Sequence, residues 1–202
     1  MNLKYFVDFH NIINEHTKDA CVMKSASVFM KLVDCYKKRH YHNLKHVTYC
    51  LEKLETYTYL AEDLDTIKFA LWFHDARDSE FESARFAMKI CKYLKTTKRF
   101  QDKVRKLILA TRHKLAPKTN DEKLICDIDL LILAESQNVF DTYERNVRKE
   151  YKHVPIKEFR AKRKEILENF LDRKYIFYIK EIRKQFEDIA RENLKYSIKK
   201  FS

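Results

Sequence analysis

Three separate stretches of the sequence combine histidine and carboxylate side chains that suit metal binding. They contain, in chain order, His42 and His46, His74 and Asp75, and Asp127 and Asp129. Imidazole nitrogens and carboxylate oxygens together are ligands for Zn, Mn, Fe or Mg. Each stretch lies in or beside an apolar segment, where an ionisable group is costly unless it is paired or bound to a metal. The three stretches together therefore indicate one metal site assembled from distant parts of the chain.

Each histidine also has a simpler interpretation as a surface or helix-terminal side chain. His42 and His46 are four residues apart, so on one helix they share a face. Val47 and Leu51 predict that the face carrying His46 is partly buried, and a buried imidazole needs a polar partner such as a metal. His74 directly follows the most hydrophobic run of the chain, which a simple helix end does not explain.

The two carboxylates of the third stretch are predicted to point in different directions. Asp129 lies between Ile128 and Leu130, so the apolar pattern flanks it more closely than it flanks Asp127. We therefore expect Asp129 to be the ligand and Asp127 to face elsewhere on the helix.

Composition limits the classes of protein to which this sequence belongs. The chain has 202 residues, which is enough for one all-helical domain or two small ones, and a net charge of +12. That charge predicts an anionic partner, either a phosphorylated small molecule or nucleic acid, although solubility explains scattered lysines equally well. The sequence has no glycine, which excludes a glycine-built phosphate loop and a Rossmann fingerprint and favours helices over hairpins.

The cysteines and the apolar segments predict a cytoplasmic protein. No CxxC pair occurs among the five cysteines, and we expect them to be reduced residues of the helical core. No apolar run approaches the length of a membrane span, and the first residues do not open a signal peptide. The cysteines are Cys21, Cys35, Cys50, Cys91 and Cys126.

Helical periodicity over most of the sequence predicts an all-α fold, a single helical bundle of about nine or ten helices spanning residues 1–202. Asn43, either Asp63 or Asp65, and Asp121 are the predicted N-caps of helices. The predicted helices cover 3–16, 25–39, 44–60, a segment ending at His74-Asp75, 79–94, a segment around 104–111, 122–134, 139–151, 156–171 and 175–196.

The order of these motifs resembles the H…HD…D signature of the HD-superfamily phosphohydrolases, carried by His46, His74-Asp75 and Asp129. The stretch from Tyr41 to His46 also resembles the start of the catalytic domain in eukaryotic cyclic-nucleotide phosphodiesterases. The motifs of the chain resemble more closely those of a bacterial-type family of predicted metal-dependent HD phosphohydrolases. The similar motifs are Arg39-x-Tyr41-His42-Asn43-Leu44-x-His46, Phe73-His74-Asp75, Glu82-Ser83-Ala84, Thr111-x-His113, Asp127-x-Asp129-Leu130, Arg148-Lys149-Glu150-Tyr151, Arg163, Ile166-Leu167, Phe170-Leu171 and Ala190-Arg191-x-Asn193-Leu194.

The resemblance implies an HD-type domain with core motifs in 36–135 and helices 137–199 packing on it. It also implies one divalent ion, which can be Mn, Fe, Co, Ni, Mg or Zn, and which activates a water molecule. The implied metal ligands are His46, His74, Asp75 and Asp129.

The same resemblance implies catalytic roles for three further residues. His42 would protonate the leaving oxygen, while Asp78 and Glu82 would orient the attacking water or hold His42. A solvated acidic face is the simpler interpretation of Asp78 and Glu82.

Phosphate contacts are expected from residues adjacent to the ligands. These residues are His113, Lys45, Arg77 and Lys114, and each of the last three has a surface cation as its simpler interpretation. Phe81 stands where relatives carry an asparagine, which changes the expected substrate contacts at that edge.

The expected function is hydrolysis of a phosphoester or pyrophosphate bond in a nucleotide or other small phosphorylated metabolite. The alternative is a basic helical module that binds nucleic acid and carries a non-catalytic metal site. For the C-terminal residues Arg148, Glu150 and Arg163, structural ion pairing is preferred to substrate binding.

Overall fold

The protein is all-helical, as its sequence predicts. The computed structural model describes residues 3–18 and 20–201, and within these residues there is no β-strand. No helix of the described chain is both long enough and apolar enough to cross a bilayer. The α-helices are α1 (Leu3–His16), α2 (Val22–Tyr36), α3 (Leu44–Thr56), α4 (Leu64–Phe73), α5 (Glu80–Tyr93), α6 (Lys98–Ala110), α7 (Asn120–Leu130), α8 (Gln137–Glu150), α9 (Ile156–Leu171) and α10 (Lys180–Phe201).

The chain divides into two compact units, Met1–Ile125 and Cys126–Ser202, with the boundary inside α7. The first unit contains α1 to α6 and the start of α7, and the second contains the end of α7 and α8 to α10. A single domain over 1–202, with helices 137–199 packed on a core of 36–135, stays a prediction.

The first unit is built around α4, which is apolar on nearly every face. Seven of its ten residues are buried, as expected for a helix surrounded by other elements. Its aromatic residues pack on those of α1 and α2, with ring centroids 5.6 Å apart for Phe9 and Phe69 and 5.1 Å apart for Phe29 and Trp72. Such pairs add about 0.5–1.5 kcal/mol each beyond the burial of their area. This packing fixes the C-terminal end of α4, which His74 directly follows.

Side-chain caps fix where three helices of the first unit begin. Asn43 accepts a hydrogen bond from the backbone N–H of Lys45 at 2.8 Å and so caps α3. Asp63, rather than Asp65, caps α4, and the Ser79 hydroxyl caps α5. Each such cap stabilises its helix by about 1 kcal/mol. The predicted caps Asn43 and Asp63 are thus confirmed.

The predicted cap Asp121 is wrong. The Thr119 hydroxyl accepts the N–H of Glu122 at 3.1 Å, and the Glu122 carboxylate accepts the N–H of Thr119 at 3.3 Å, a capping box that starts α7. Asp121 lies inside the first turn and accepts the N–H of Glu62 at 2.8 Å. Its carboxylate therefore ties α7 to the segment before α4.

The expectation that all the cysteines lie in the core is right for three of them. All five are free thiols, and Cys50, Cys91 and Cys126 are buried. Cys21 is exposed at the residue before α2, and Cys35 is partly exposed.

In the second unit, side chains hold the segment between α9 and α10 in a non-helical conformation. The two carboxylate oxygens of Asp127 accept the N–H groups of Tyr178 and Ile179 at 2.8 and 2.7 Å. Glu187 accepts the N–H of Ile176 at 3.0 Å in the same segment. Because these N–H groups are bonded to side chains, α10 begins at Lys180, five residues after the predicted start.

A buried arginine joins α8 to α9. The guanidinium of Arg163 donates to the Glu144 carboxylate at 2.7 Å and also to the Tyr143 hydroxyl. Arg148 donates to the carbonyl oxygens of Tyr151 and Val154 at the end of α8. Arg163 therefore makes a structural ion pair, but its partner is Glu144, which the sequence analysis did not name.

We expect Asp127→Ala to lower the free energy of unfolding by about 2–4 kcal/mol, because two backbone N–H groups would lose their acceptor. Urea unfolding followed by far-ultraviolet circular dichroism measures this change. The control is Asp188→Ala on the exposed face of α10, which should shift stability by less than about 0.5 kcal/mol. Equal effects of the two substitutions would contradict the anchoring role of Asp127.

Candidate metal centre

Three donor atoms meet at the end of α4 in the first unit. His46 Nε2 lies 3.3 Å from His74 Nε2, and Asp75 Oδ2 lies 3.3 Å from the first nitrogen and 3.0 Å from the second. Ligands bound to one ion at roughly 2.0–2.1 Å are separated by roughly 3.0–3.4 Å, depending on coordination geometry. The triangle therefore has the dimensions of one face of a coordination sphere.

Burial sets this cluster apart from surface ion pairs. His46 and His74 are 5% and 1% exposed, and the Asp75 side chain is 16% exposed. Two imidazole nitrogens that face each other at this distance need either a shared proton or a cation, because burial makes an unsatisfied group costly. A cation among the three atoms would satisfy all of them at once.

Hydrogen bonds orient both imidazoles toward the centre of the triangle. His74 Nδ1 lies 2.8 Å from the carbonyl oxygen of Leu71, which can only accept, so Nδ1 carries a proton and Nε2 is the nitrogen that would bind a metal. His46 Nδ1 lies 3.2 Å from the Tyr41 hydroxyl. Contacts of this kind are typical of histidines that bind metals.

The end of α2 and the turn that follows it hold the segment that carries Asp75. The buried hydroxyl of Tyr36 donates to the carbonyl oxygen of Trp72 at 2.8 Å. Arg39 donates to the backbone carbonyl of Asp75 at 2.9 Å and to the Asp78 carboxylate at 2.7 Å. The ligand segment is thus fixed by its backbone, which leaves the Asp75 carboxylate directed at the histidines.

Asp75 is an ionised carboxylate in this environment. Burial by itself would raise the pKa of this carboxylate. The positive charges of His74 and His42 and the hydrogen bonds from His46 and His74 lower the pKa by more than burial raises it. The resulting pKa lies well below the ordinary value for aspartate. An anionic oxygen beside two nitrogens is a ready cation ligand.

Cys50 belongs to this cluster, although sequence reasoning did not select it. Its buried Sγ lies 3.8 Å from each ring nitrogen of His46, and it lies within 4.8 Å of the donor atom of His74. The signal was present in the sequence, since Cys50 follows His46 by four residues and so shares its face of α3.

Asp129, the fourth predicted ligand, belongs to the second unit and lies near the end of α7. It is half-buried, whereas Asp127 is fully buried, which reverses the order of burial expected from the apolar residues around them. The binding of a metal by Asp129 stays a prediction.

His42 lies beside the first-unit cluster. Its ring is perpendicular to that of His46, with centroids 6.1 Å apart, and it packs edge-on against Tyr41 at 4.8 Å. The side chain is half-buried, so it is accessible to a molecule that approaches Asp75. This position is compatible with the predicted proton donor.

The predicted acidic residues both have cationic neighbours. Asp78 is fully exposed and pairs with Arg39, and Glu82 is exposed and pairs with Arg85 at 2.9 Å. To orient a water molecule, either carboxylate would have to bind the water and its arginine at the same time. Their catalytic roles stay predictions.

Two of the predicted phosphate contacts differ in their freedom to move. Lys45 is exposed on the first turn of α3, next to His46. Arg77 lies 3.7 Å above the ring of Phe86 and donates to Cys35 Sγ at 2.7 Å. A phosphate contact would require the Arg77 guanidinium to leave these partners, whereas Lys45 is already in solvent.

His113 and Lys114 follow α6 in a basic loop. His113 has a φ of 55°, an unusual value for a residue other than glycine, and its N–H donates to the Ala110 carbonyl at 3.1 Å. Lys114 lines a cavity of about 460 Å³ together with Lys106 and Lys118. The cavity combines these cations with apolar residues of α6 and the loop, among them Leu109, Leu115 and Pro117.

Phe81, at the start of α5, has a cationic partner. Its side chain is half-exposed, and the guanidinium of Arg112 lies 4.1 Å above its ring. This cation–π contact joins the start of α5 to the turn that follows α6.

Comparison with known proteins adds no relative of this chain. No protein-family model matches the sequence, and searches of the curated proteins and of the solved structures find no match. A functional proposal must therefore rest on the geometry of the cluster and on the motifs of the sequence.

We expect the purified protein to bind one divalent ion per chain. His74→Ala and Asp75→Asn should each weaken that binding more than tenfold, because the first removes a donor nitrogen and the second replaces an anionic carboxylate with a neutral amide. Titration with zinc and manganese, with the metal content checked by elemental analysis, measures the change. Asp129→Asn in the same series tests the sequence-predicted fourth ligand.

His40→Ala, at an exposed histidine close to the cluster in sequence, is the matched control and should bind metal as the wild type does. Undiminished binding in His74→Ala and Asp75→Asn would contradict the centre.

Tyr41→Phe should reduce metal affinity by about tenfold without unfolding the protein, since it removes only the hydroxyl that orients His46. The same titration measures the effect, and Tyr59→Phe, at an exposed tyrosine of the first unit, is its control. If both variants bind metal equally well, Tyr41 does not orient the ligand.

Proposed function

We propose that this protein is a metal-dependent phosphohydrolase of the HD type. Its substrate is a nucleotide or another small phosphorylated metabolite, in which it cleaves a phosphoester or pyrophosphate bond. The observation that carries the proposal is the buried triangle of His46, His74 and Asp75, whose donor atoms are spaced as ligands of one ion. The motif order His46, His74-Asp75 and Asp129 adds to it the resemblance to HD phosphohydrolases.

The three first-unit ligands would hold the ion from one side. When bound, a divalent ion lowers the pKa of a coordinated water and polarises a phosphoryl oxygen. The Asp75 side chain is the most exposed of the three, so solvent and substrate reach the triangle from its side. Mn, Fe, Co, Ni, Mg and Zn all accept this mixture of nitrogen and oxygen ligands.

His42 is suited to protonate the leaving oxygen. It is half-buried beside His46, and an imidazole is able to give up a proton near neutral pH. Tyr41 packs against both rings and so sets the distance between the metal ligand and the proton donor. One short segment thus supplies both a ligand and an acid.

Charge favours a phosphorylated substrate. The chain has a net charge of +12, and Lys45 is exposed next to His46. An excess of cations raises the local concentration of anions and speeds their association. Five free thiols, three of them buried, support a cytoplasmic location for the enzyme.

The test is a screen for phosphate release from nucleoside mono-, di- and triphosphates, cyclic nucleotides and p-nitrophenyl phosphate, each with Mn, Mg, Co and Zn. We expect metal-dependent turnover that falls more than a hundredfold in Asp75→Asn. His42→Ala should lower kcat most for substrates with a poor leaving group, while metal content stays at the wild-type value.

His40→Ala is again the control and should retain full activity. Folded, metal-loaded protein that turns over none of these substrates would overturn the proposal. Salt-dependent binding to RNA or DNA that survives Asp75→Asn would instead favour the nucleic-acid-binding alternative.

A further inference from the structure

We infer that Cys50 supplies a thiolate ligand to the metal ion and thereby makes the centre selective for zinc or cobalt over magnesium and manganese. The inference rests on the metal site of the proposed function, but it does not depend on which bond the protein hydrolyses.

The position of Cys50 on α3 places its sulfur beside the imidazole of His46. His46 and Cys50 are four residues apart, a spacing at which helical side chains lie on one face and chelate a common ion. Both side chains are buried, and the Cys50 Sγ lies 3.8 Å from the Nε2 atom of His46.

The distances suit a four-coordinate site. With bonds of roughly 2.0 Å to nitrogen and 2.3 Å to sulfur, a tetrahedral ion separates these two donors by roughly 3.5 Å. The observed separation is 3.8 Å, and the two nitrogens lie 3.3 Å apart, close to the tetrahedral value of roughly 3.3 Å. Sγ is equally far from both ring nitrogens of His46, so binding requires the thiol to turn from beside the imidazole toward the triangle.

Cys50 adds a sulfur donor to the two histidine nitrogens, because its Sγ and the donor atoms of His46 and His74 lie within 4.8 Å of one another. Nitrogen and sulfur are ligands that zinc prefers. A thiol binds a metal as the thiolate, so the Cys50 proton passes to solvent when the Sγ–metal bond forms. Thiolate sulfur is a soft ligand that Mg²⁺ and Mn²⁺ bind poorly, whereas Zn²⁺ and Co²⁺ bind it well.

No other cysteine of the described chain belongs to this cluster. Cys21 and Cys35 are at least partly exposed, and Cys91 donates no ligand atom to the group that contains His46 and His74. These residues therefore provide controls within the same protein.

The experiment is cobalt substitution of the full-length protein. We expect one Co²⁺ per chain with an intense sulfur-to-cobalt charge-transfer absorption in the near ultraviolet. Cys50→Ala and Cys50→Ser should abolish that absorption while still binding one Co²⁺, and Cys21→Ser should retain it. Competition titrations should show that the ratio of zinc to manganese affinity falls at least tenfold in Cys50→Ala.

Three outcomes overturn the inference. The first is a cobalt-loaded wild type without the charge-transfer band, the second is a band that persists in both Cys50 variants, and the third is an unchanged zinc-to-manganese ratio. Failure of the wild type to bind any divalent ion would overturn the proposed function together with the inference, whereas binding of manganese or magnesium without cobalt or zinc would overturn the inference alone. A band that depends on Cys50, in a protein that hydrolyses no phosphate ester, would support the inference and refute only the proposed reaction.

Discussion

The arrangement of the first unit depends on one constraint: two buried imidazole nitrogens and one ionised carboxylate must be held in contact with one another. His46 Nε2 and His74 Nε2 are 3.3 Å apart, and Asp75 Oδ2 is in contact with both. In a low-dielectric interior such a cluster costs free energy unless a cation occupies it or protons are shared among its members. Hydrogen bonds from the surrounding structure hold the cluster in place. The Leu71 carbonyl contacts His74, the Tyr41 hydroxyl contacts His46, and Arg39 donates to the backbone carbonyl of Asp75.

The fold of the first unit supplies the rigidity that this arrangement requires. Helix α4 is surrounded by aromatic side chains of α1 and α2, so the residue at which it ends is set by packing on nearly all sides. Side-chain caps fix the start of α3 and α4, and the chain forms its left-handed positions at Lys95 and His113 without glycine. Ligands carried on the ends of such helices are placed more precisely than ligands on free loops.

In the second unit, two side chains of α10 support the fold by donating to backbone carbonyl groups. Arg191 donates to the carbonyl oxygens of Leu171 and Arg173 and so caps the end of α9. Asn193 donates to the carbonyl oxygens of Leu133 and Glu135. These side chains satisfy backbone carbonyl groups that burial would otherwise leave without hydrogen-bond partners. The contacts of Arg191 and Asn193 are therefore structural.

Sequence periodicity alone determined the all-α class and several helix boundaries. Leu3–His16 and Ile156–Leu171 match their predicted bounds, because a local pattern of apolar residues specifies which face of a helix is buried. The tertiary structure decided what periodicity does not encode, namely which distant groups meet. It brought Cys50 to His46 and His74, paired Asp78 with Arg39, and tied residues 176–179 to Asp127 and Glu187 in place of a helical turn. Such contacts depend on the packing of whole helices, since a side chain finds its partner only after both helices are in place.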